Sequence, residues 1–310
     1  MRTDAVLLER PGALRVASLA LIPPAAGDVV VDVEVSGVST GTERLLWSGE
    51  MPPFPGLGYP LVPGYEACGR VVASHDETLA VGTRVFVPGA SCYRDARGLF
   101  GASAARLVVP ARRAVPVGEL PAAAATLLAL AATAQHAIAG GTPPDLIVGH
   151  GVLGRLLARL TLAAGAPAPT VWEREPGRRA GAAGYPAIDA ADDDRRHYRS
   201  AYDASGDASL VDGLVQRLAP GGEVVLAGFY KDRVSFAFPP AFMREARFRV
   251  AAEWKPADMA AVLDHIAAGR LSLDGLVTHR EPAAAADAAC RTAFGDALCL
   301  KMILDWSDMR

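Results

Sequence analysis

Cysteine is scarce in this chain of 310 residues: there are four, Cys68, Cys92, Cys290 and Cys299. Their spacing pairs none of them as metal ligands, and so few argue against a disulfide framework. Free thiols in a reducing, cytoplasmic compartment are expected. No apolar run reaches the roughly eighteen residues of a membrane-spanning helix, so no integral membrane segment is expected. The first residues carry charge at Arg2, Asp4, Glu9 and Arg10 and lack the apolar core of a signal peptide. Neither sign of charge dominates: 31 Lys and Arg face 34 Asp and Glu, for a net charge of −3. That balance excludes the basic surplus of a nucleic-acid binder, and no block of like charge marks a disordered tail. What remains is a globular chain with room for two domains.

Two textures divide it. Residues 1–118 read as short strands broken by Pro and Gly, with strands near 29–35, 64–73 and 84–87. Residues 51–60, MPPFPGLGYP, hold too much proline for a helix or a central strand and should form an extended loop. From about Leu120, helices alternate with strands. The pattern predicts a helix over 121–139, a strand–helix–strand unit over 145–173, a strand at 200–204 and a helix at 210–218. A turn at Pro220-Gly221-Gly222 and a strand from Glu223 to Gly228 come next. Helices at 256–268 and 283–294 and a strand at 300–304 close the chain. This alternation predicts an α/β protein with a doubly wound parallel sheet.

The sharpest local signal is the turn in the first strand–helix unit. Gly149-His150-Gly151-Val152-Leu153-Gly154 follows the apolar Leu146-Ile147-Val148 and opens a helix-patterned stretch. Gly149 permits a tight turn, and Gly151 removes a side chain where backbone must approach a pyrophosphate. Gly154 lets the helix pack on the strand, and the helix N-terminus offers free N–H groups to phosphates. A merely structural glycine turn is the alternative; the acidic residue ending the next strand weighs against it. Glu173, directly after Thr170-Val171-Trp172, suits the ribose hydroxyls and would repel a 2′-phosphate, which selects NAD over NADP. Arg174, Arg178 and Arg179 follow, as a solvated cluster or, alternatively, as a 2′-phosphate site. Gly228, where a neighbouring strand stops, joins the cofactor set. His150 occupies a variable position of the turn, where an exposed side chain is expected. His136 reads as a packing or capping residue, and His279 as a turn anchor.

The order of these parts resembles the medium-chain dehydrogenase/reductase superfamily. The resemblance rests on Gly64-Tyr65-Glu66, the glycine turn, Leu218-Ala219-Pro220-Gly221-Gly222 and Val277-Thr278-His279. It implies a GroES-like catalytic domain at 1–118, completed by 253–310, and a Rossmann NAD-binding domain at 119–252. Two longer stretches are more specific. Residues 36–49, SGVSTGTERLLWSG, and 51–66, MPPFPGLGYPLVPGYE, resemble the bacteriochlorophyllide a dehydrogenase family. That family oxidises the 1-hydroxyethyl group at ring position 3 of a bacteriochlorophyllide to acetyl with NAD, late in bacteriochlorophyll a synthesis. A tetrapyrrole substrate is therefore implied by resemblance alone. A homodimer would fit as well, since relatives often pair Rossmann sheet edges.

Many members of the wider superfamily hold a catalytic zinc through a Cys in the first stretch and a His before the Glu. Here Ser39 and Tyr65 stand in those positions, and neither is a normal zinc ligand. The four clustered Cys of a structural zinc are missing too, because residues 80–120 contain only Cys92. No metal is expected. Without a Lewis acid, a side chain must take the proton of the alcohol. Tyr65 is the first candidate, because a phenol both donates and accepts. Ser39, Thr42, Glu43 and Glu66 are candidate members of the relay. The plainer alternatives are that Tyr65 fills the space of a lost zinc, that Ser39 and Thr42 bond backbone, and that Glu66 forms an ion pair. A flat apolar macrocycle needs a broad cleft, with Trp47, Phe54, Tyr59 and the neighbouring prolines as one wall. Trp47 and Phe54 also suit a core plug. Arg44 suits either the pigment's propionate or a surface salt bridge. Two rival functions stay open: a zinc-free, NADPH-dependent quinone or enone reductase, and a nicotinamide-binding protein without catalysis.

Overall fold

The computed structural model describes residues 1–309. The chain divides into two compact units: Met1–Ala129 together with the segment from Leu273 onward, and Leu130–Ser272. The exchange points therefore fall at 129/130 and 272/273, where sequence texture and resemblance suggest 118/119 and 252/253. The helix Pro256–Ala267 accounts for the later return. Its Asp258 carboxylate lies 2.9 Å from Nδ1 of His136, on the helix Leu128–Ala139, and so ties the helix into the second unit.

In the first unit the strand Asp28–Val38 is the spine. One side pairs antiparallel with Ala67–Ser74. The other side is shared by Arg106–Pro110, along residues 28–32, and by Met302–Asp305, along residues 35–38. Val29, Val30, Val31, Val33 and Val35 are all buried, as β-branched residues in a covered strand should be. The register sets Met302 opposite Val38 and Ser36 opposite Ala67, which gathers Ser39, Glu66 and Lys301 at one end of the spine. The region expected to hold only strands and loops also contains a helix, Thr42–Ser48, closed by Gly49 in the left-handed conformation. Residues 51–60 adopt no regular structure, as their prolines require.

The second unit is a six-stranded, all-parallel sheet in the order Ala187–Ile188, Thr170–Trp172, Leu146–Val148, Tyr198–Asp203, Leu218–Leu226 and Arg247–Val250. Chain order reverses between Leu146–Val148 and Tyr198–Asp203, the switch point where such sheets open a ligand crevice at their carboxyl ends. Leu146, Ile147 and Val148 are all buried without alternation, as in a strand covered on both faces.

Several predicted boundaries move. The helix expected over 121–139 splits into Ala122–Ala125 and Leu128–Ala139, with the Thr126 hydroxyl donating to the Ala123 carbonyl at 2.7 Å. The turn at 220–222 sits inside the strand Leu218–Leu226 as an irregularity: Leu218 pairs with Tyr198, and pairing resumes at Glu223 opposite Ser200. The edge strands Ala187–Ile188 and Arg247–Val250 are too short or too charged for periodicity to find. Among the described residues no helix is long and apolar enough to cross a membrane.

Candidate active site

The glycine turn lies in the second unit. Gly149 has φ +94°, and its N–H donates to the Trp172 carbonyl at 2.8 Å, which draws the turn towards the end of the neighbouring strand. At Gly151, the residue before the helix Val152–Ala163, an added Cβ would meet nothing within 4 Å, and no side chain caps the helix. Open space before an uncapped helix N-terminus suits a phosphate, so the pyrophosphate of a dinucleotide fits here. Val152 is buried and Leu153 partly buried in the first helical turn.

Glu173 follows its strand as predicted and is 7% exposed. Its carboxylate accepts from the His150 N–H and the Glu175 N–H, each at 2.9 Å. The His150 side chain contradicts the exposed position expected for it: it is fully buried. Its Nδ1 lies 2.7 Å from the Arg178 carbonyl and its Nε2 2.9 Å from the Tyr185 hydroxyl. A carbonyl only accepts, so Nδ1 carries the hydrogen and Nε2 accepts from the phenol. Burial lowers this histidine to about 4, so the ring is neutral. The position looks inward because the segment 178–185 folds over it. Arg179 is not part of a solvated cluster either. Its guanidinium donates to the carbonyls of Glu173 and Arg174 and pairs with Asp189. Arg174 is exposed. Gly228 lies just past the strand Leu218–Leu226, with its N–H on the Asp203 carbonyl at 2.8 Å. Sequence reasoning missed Asp203 itself. It is fully buried and accepts from the Tyr230 hydroxyl at 2.6 Å, with Ser205 on its other oxygen.

The first unit, taken by itself, holds a polar cluster. Tyr65 donates to the Ser39 hydroxyl at 2.5 Å, and the Thr42 hydroxyl supports the same phenol. Burial and the charge of Glu66 push the Tyr65 phenol well above the ordinary tyrosine range, so it is neutral. Ser39 and Tyr65 offer neither thiolate nor imidazole. Among the described residues, no three His, Cys, Asp or Glu converge to hold a metal. The catalytic zinc of the wider superfamily does not fit this donor set.

Behind the hydroxyl pair lie two carboxylates. Glu43, in the first turn of Thr42–Ser48, is 4% exposed and accepts from the Ser39 N–H at 3.2 Å. Burial first, and then the Glu66 charge, push it up to about 8. Glu66 is fully buried; one oxygen is 2.5 Å from Nζ of Lys301, and the other has no hydrogen-bond partner. Glu66 is thus an ion-pair member, the plainer of its two expected roles. Lys301 is 1% exposed, and its carbonyl accepts from the N–H groups of Thr278 and His279. The Thr-His pair therefore anchors Lys301, and His279 itself opens the strand His279–Pro282. Sequence reasoning missed Lys301. Its signal was a lone lysine in the apolar run Cys299–Leu304, which needs a partner if buried.

An aromatic series flanks Tyr65. Phe100 meets it edge-on, with ring centroids 5.3 Å apart, and Phe54 meets Phe100 edge-on at 6.1 Å. Phe54 is 36% exposed. Tyr59 donates to the Leu46 carbonyl at 2.7 Å, which pins the proline-rich loop. Trp47 instead packs against Phe294 and the buried Leu45–Leu46 cluster, with Arg291 over its ring. Arg44 is exposed on the same helix.

Comparison with known proteins agrees with this layout. Residues 25–119 match the alcohol dehydrogenase GroES-like domain. The fold superposes on a solved short chain alcohol dehydrogenase from Escherichia coli CFT073, complexed with NADH, with TM-score 0.84 and 21% identity over 98% of this chain and 99% of that one. Over 99% of both lengths the chain is 59% identical to the 2-desacetyl-2-hydroxyethyl bacteriochlorophyllide A dehydrogenase of Cereibacter sphaeroides. It is 56% identical, over the whole of both chains, to the protein of the same name from Rhodobacter capsulatus. At this identity over full length, the chain belongs to the bacteriochlorophyllide a dehydrogenase family, within the medium-chain dehydrogenase/reductase fold.

Proposed function

We propose that this chain oxidises the 3-(1-hydroxyethyl) group of a bacteriochlorophyllide a, or of a chlorophyllide a, to 3-acetyl, with NAD as acceptor and without zinc, in the cytoplasm. Full-length identity of 56–59% to enzymes named for that substrate carries the reading. The glycine turn at 149–154 would hold NAD, which would supply the acceptor for the hydride of the carbinol carbon. The substrate hydroxyl donates to Tyr65, whose own proton is already directed at Ser39. Phe54 and Phe100 offer an apolar face to the macrocycle beside that phenol. Preference for NAD over NADP rests on Glu173 at the strand end and on an Arg179 already committed to Asp189 and two carbonyls. Homodimerisation is favoured by the strand Arg247–Val250, an unpaired sheet edge on whose Phe248 the exposed Phe236 stacks.

An absorption assay tests the reaction. With NAD and the hydroxyethyl pigment, the long-wavelength band is expected to move to the red as the acetyl group joins the conjugated ring. A band unmoved by purified protein and NAD would refute the assignment. For the pocket, Phe54→Ala is expected to weaken pigment binding about tenfold or more while NADH binding holds. Fluorescence titrations with each ligand make the comparison, and equal losses of both would remove Phe54 from the pocket.

A further inference from the structure

Two buried carboxylates stand behind the Tyr65–Ser39 pair, and their surroundings differ. Glu66 has the Lys301 ammonium at 2.5 Å, and that lysine is held from behind by Thr278 and His279. Burial raises Glu66, and the Lys301 ammonium at contact opposes that rise and favours its charged form. Glu43 has no ion-pair partner among the described residues. It accepts one long bond, from the N–H of the same Ser39 whose hydroxyl holds Tyr65. We propose that Glu43 accepts the substrate proton at the inner end of the Tyr65–Ser39 pair, and that Lys301, by fixing the charge on Glu66, is the positioning residue that leaves Glu43 to do so.

This inference rests on the alcohol oxidation proposed above and extends it. The carbinol C–H bond breaks, and its electron pair leaves as hydride to oxidised nicotinamide. The O–H proton moves to Tyr65, the Tyr65 proton to Ser39, and the Ser39 proton to the Glu43 carboxylate. The products are the ketone, reduced nicotinamide and a neutral Glu43. The groups facing Glu43 are Glu66, Lys301, the Tyr65 phenol and the buried Cys290 thiol. Of these, Glu66 raises Glu43 and Lys301 lowers it, while burial raises it most, to about 8. An acceptor must be ionised, so oxidation rises with pH through that value.

Infrared difference spectra of the ligand-free protein across pH read the protonated-carboxyl band directly. A band that titrates near pH 8 is expected in the unaltered protein and absent in Glu43→Gln. In turnover with the pigment and NAD, kcat/KM should climb through the same pH. Glu43→Gln should lower it about 100-fold and flatten the profile, with NADH affinity unchanged. Glu66→Gln, which removes the neighbouring negative charge, should move the Glu43 midpoint to lower pH, and Lys301→Arg, which keeps the cation, should leave it near pH 8. A band that survives Glu43→Gln, a Glu43→Gln profile like that of the unaltered protein, or a midpoint indifferent to Glu66→Gln would each overturn the proposal. The infrared titration needs no pigment. A Glu43-dependent band in a protein that leaves the pigment untouched would count against the substrate and in favour of where the mobile proton sits.

Discussion

Replacing Lys301 by Met is expected to destabilise the fold by about 3–5 kcal/mol, the cost of stranding one member of a buried ion pair. The estimate follows from what surrounds Glu66. The carboxylate is fully buried, one oxygen already has no hydrogen-bond partner, and Nζ of Lys301 is the side-chain donor to the other. Removing the ammonium leaves either a bare charge in an apolar strand end or a carboxyl that must take up a proton. Methionine fills most of the volume of the lysine stem, so lost packing contributes little. The double variant Glu66→Gln with Lys301→Met removes both charges and should recover much of the loss, because a pair costs less to delete than to break. Denaturant midpoints of the two single variants and the double variant close the cycle. A Lys301→Met protein as stable as the unaltered chain would mean that the pair is not buried as described.

The same pair marks how far sequence reasoning reached. Periodicity and punctuation located the strand–helix–strand unit, because an apolar strand, three glycines and an acidic strand end are local signals within thirty residues. Periodicity and punctuation did not single out Ser39, Thr42, Glu43, Tyr65 and Glu66, which came from the family resemblance. They could not find Lys301, which reaches Glu66 across 235 positions through a C-terminal strand that pairs with the spine of the first unit. Nor could they orient His150. A glycine turn looks solvated in one dimension, and only the fold of 178–185 back over it buries the ring. Phe100 sits in a stretch without periodicity, so its place between Phe54 and Tyr65 left no trace in the sequence. Edge strands failed for a related reason: Arg247–Val250 alternates charged and apolar residues over too few positions to stand out. What was legible was local chemistry; what was not was every contact that depends on distant strands meeting.

Gly154→Ala is expected to abolish measurable cofactor binding, a loss of about 100-fold or more. An ideal Cβ at this position falls 1.8 Å from the Gly149 carbonyl oxygen, which is backbone and cannot swing aside as a side chain would. Relief requires either the helix Val152–Ala163 to lift from the sheet or the turn to shift. The turn is held by the Gly149 N–H on the Trp172 carbonyl and by Glu173 on the His150 N–H. Alanine's gain in helix propensity, about 1 kcal/mol at most, opposes an overlap of more than an ångström and loses. The displaced turn carries Gly151 and the helix N-terminus with it, so pyrophosphate loses its N–H donors, and 100-fold weaker binding corresponds to about 2.7 kcal/mol. Gly151→Ala is the paired control. Its Cβ meets no protein atom within 4 Å, so the fold should keep its denaturant midpoint while the methyl group intrudes on the phosphates alone. Calorimetric titration with NADH and unfolding curves for both variants separate the cases. Gly154→Ala should lose affinity and stability together, and Gly151→Ala affinity only. A Gly154→Ala protein that binds NADH normally would show that the helix does not press on the turn as the backbone geometry requires.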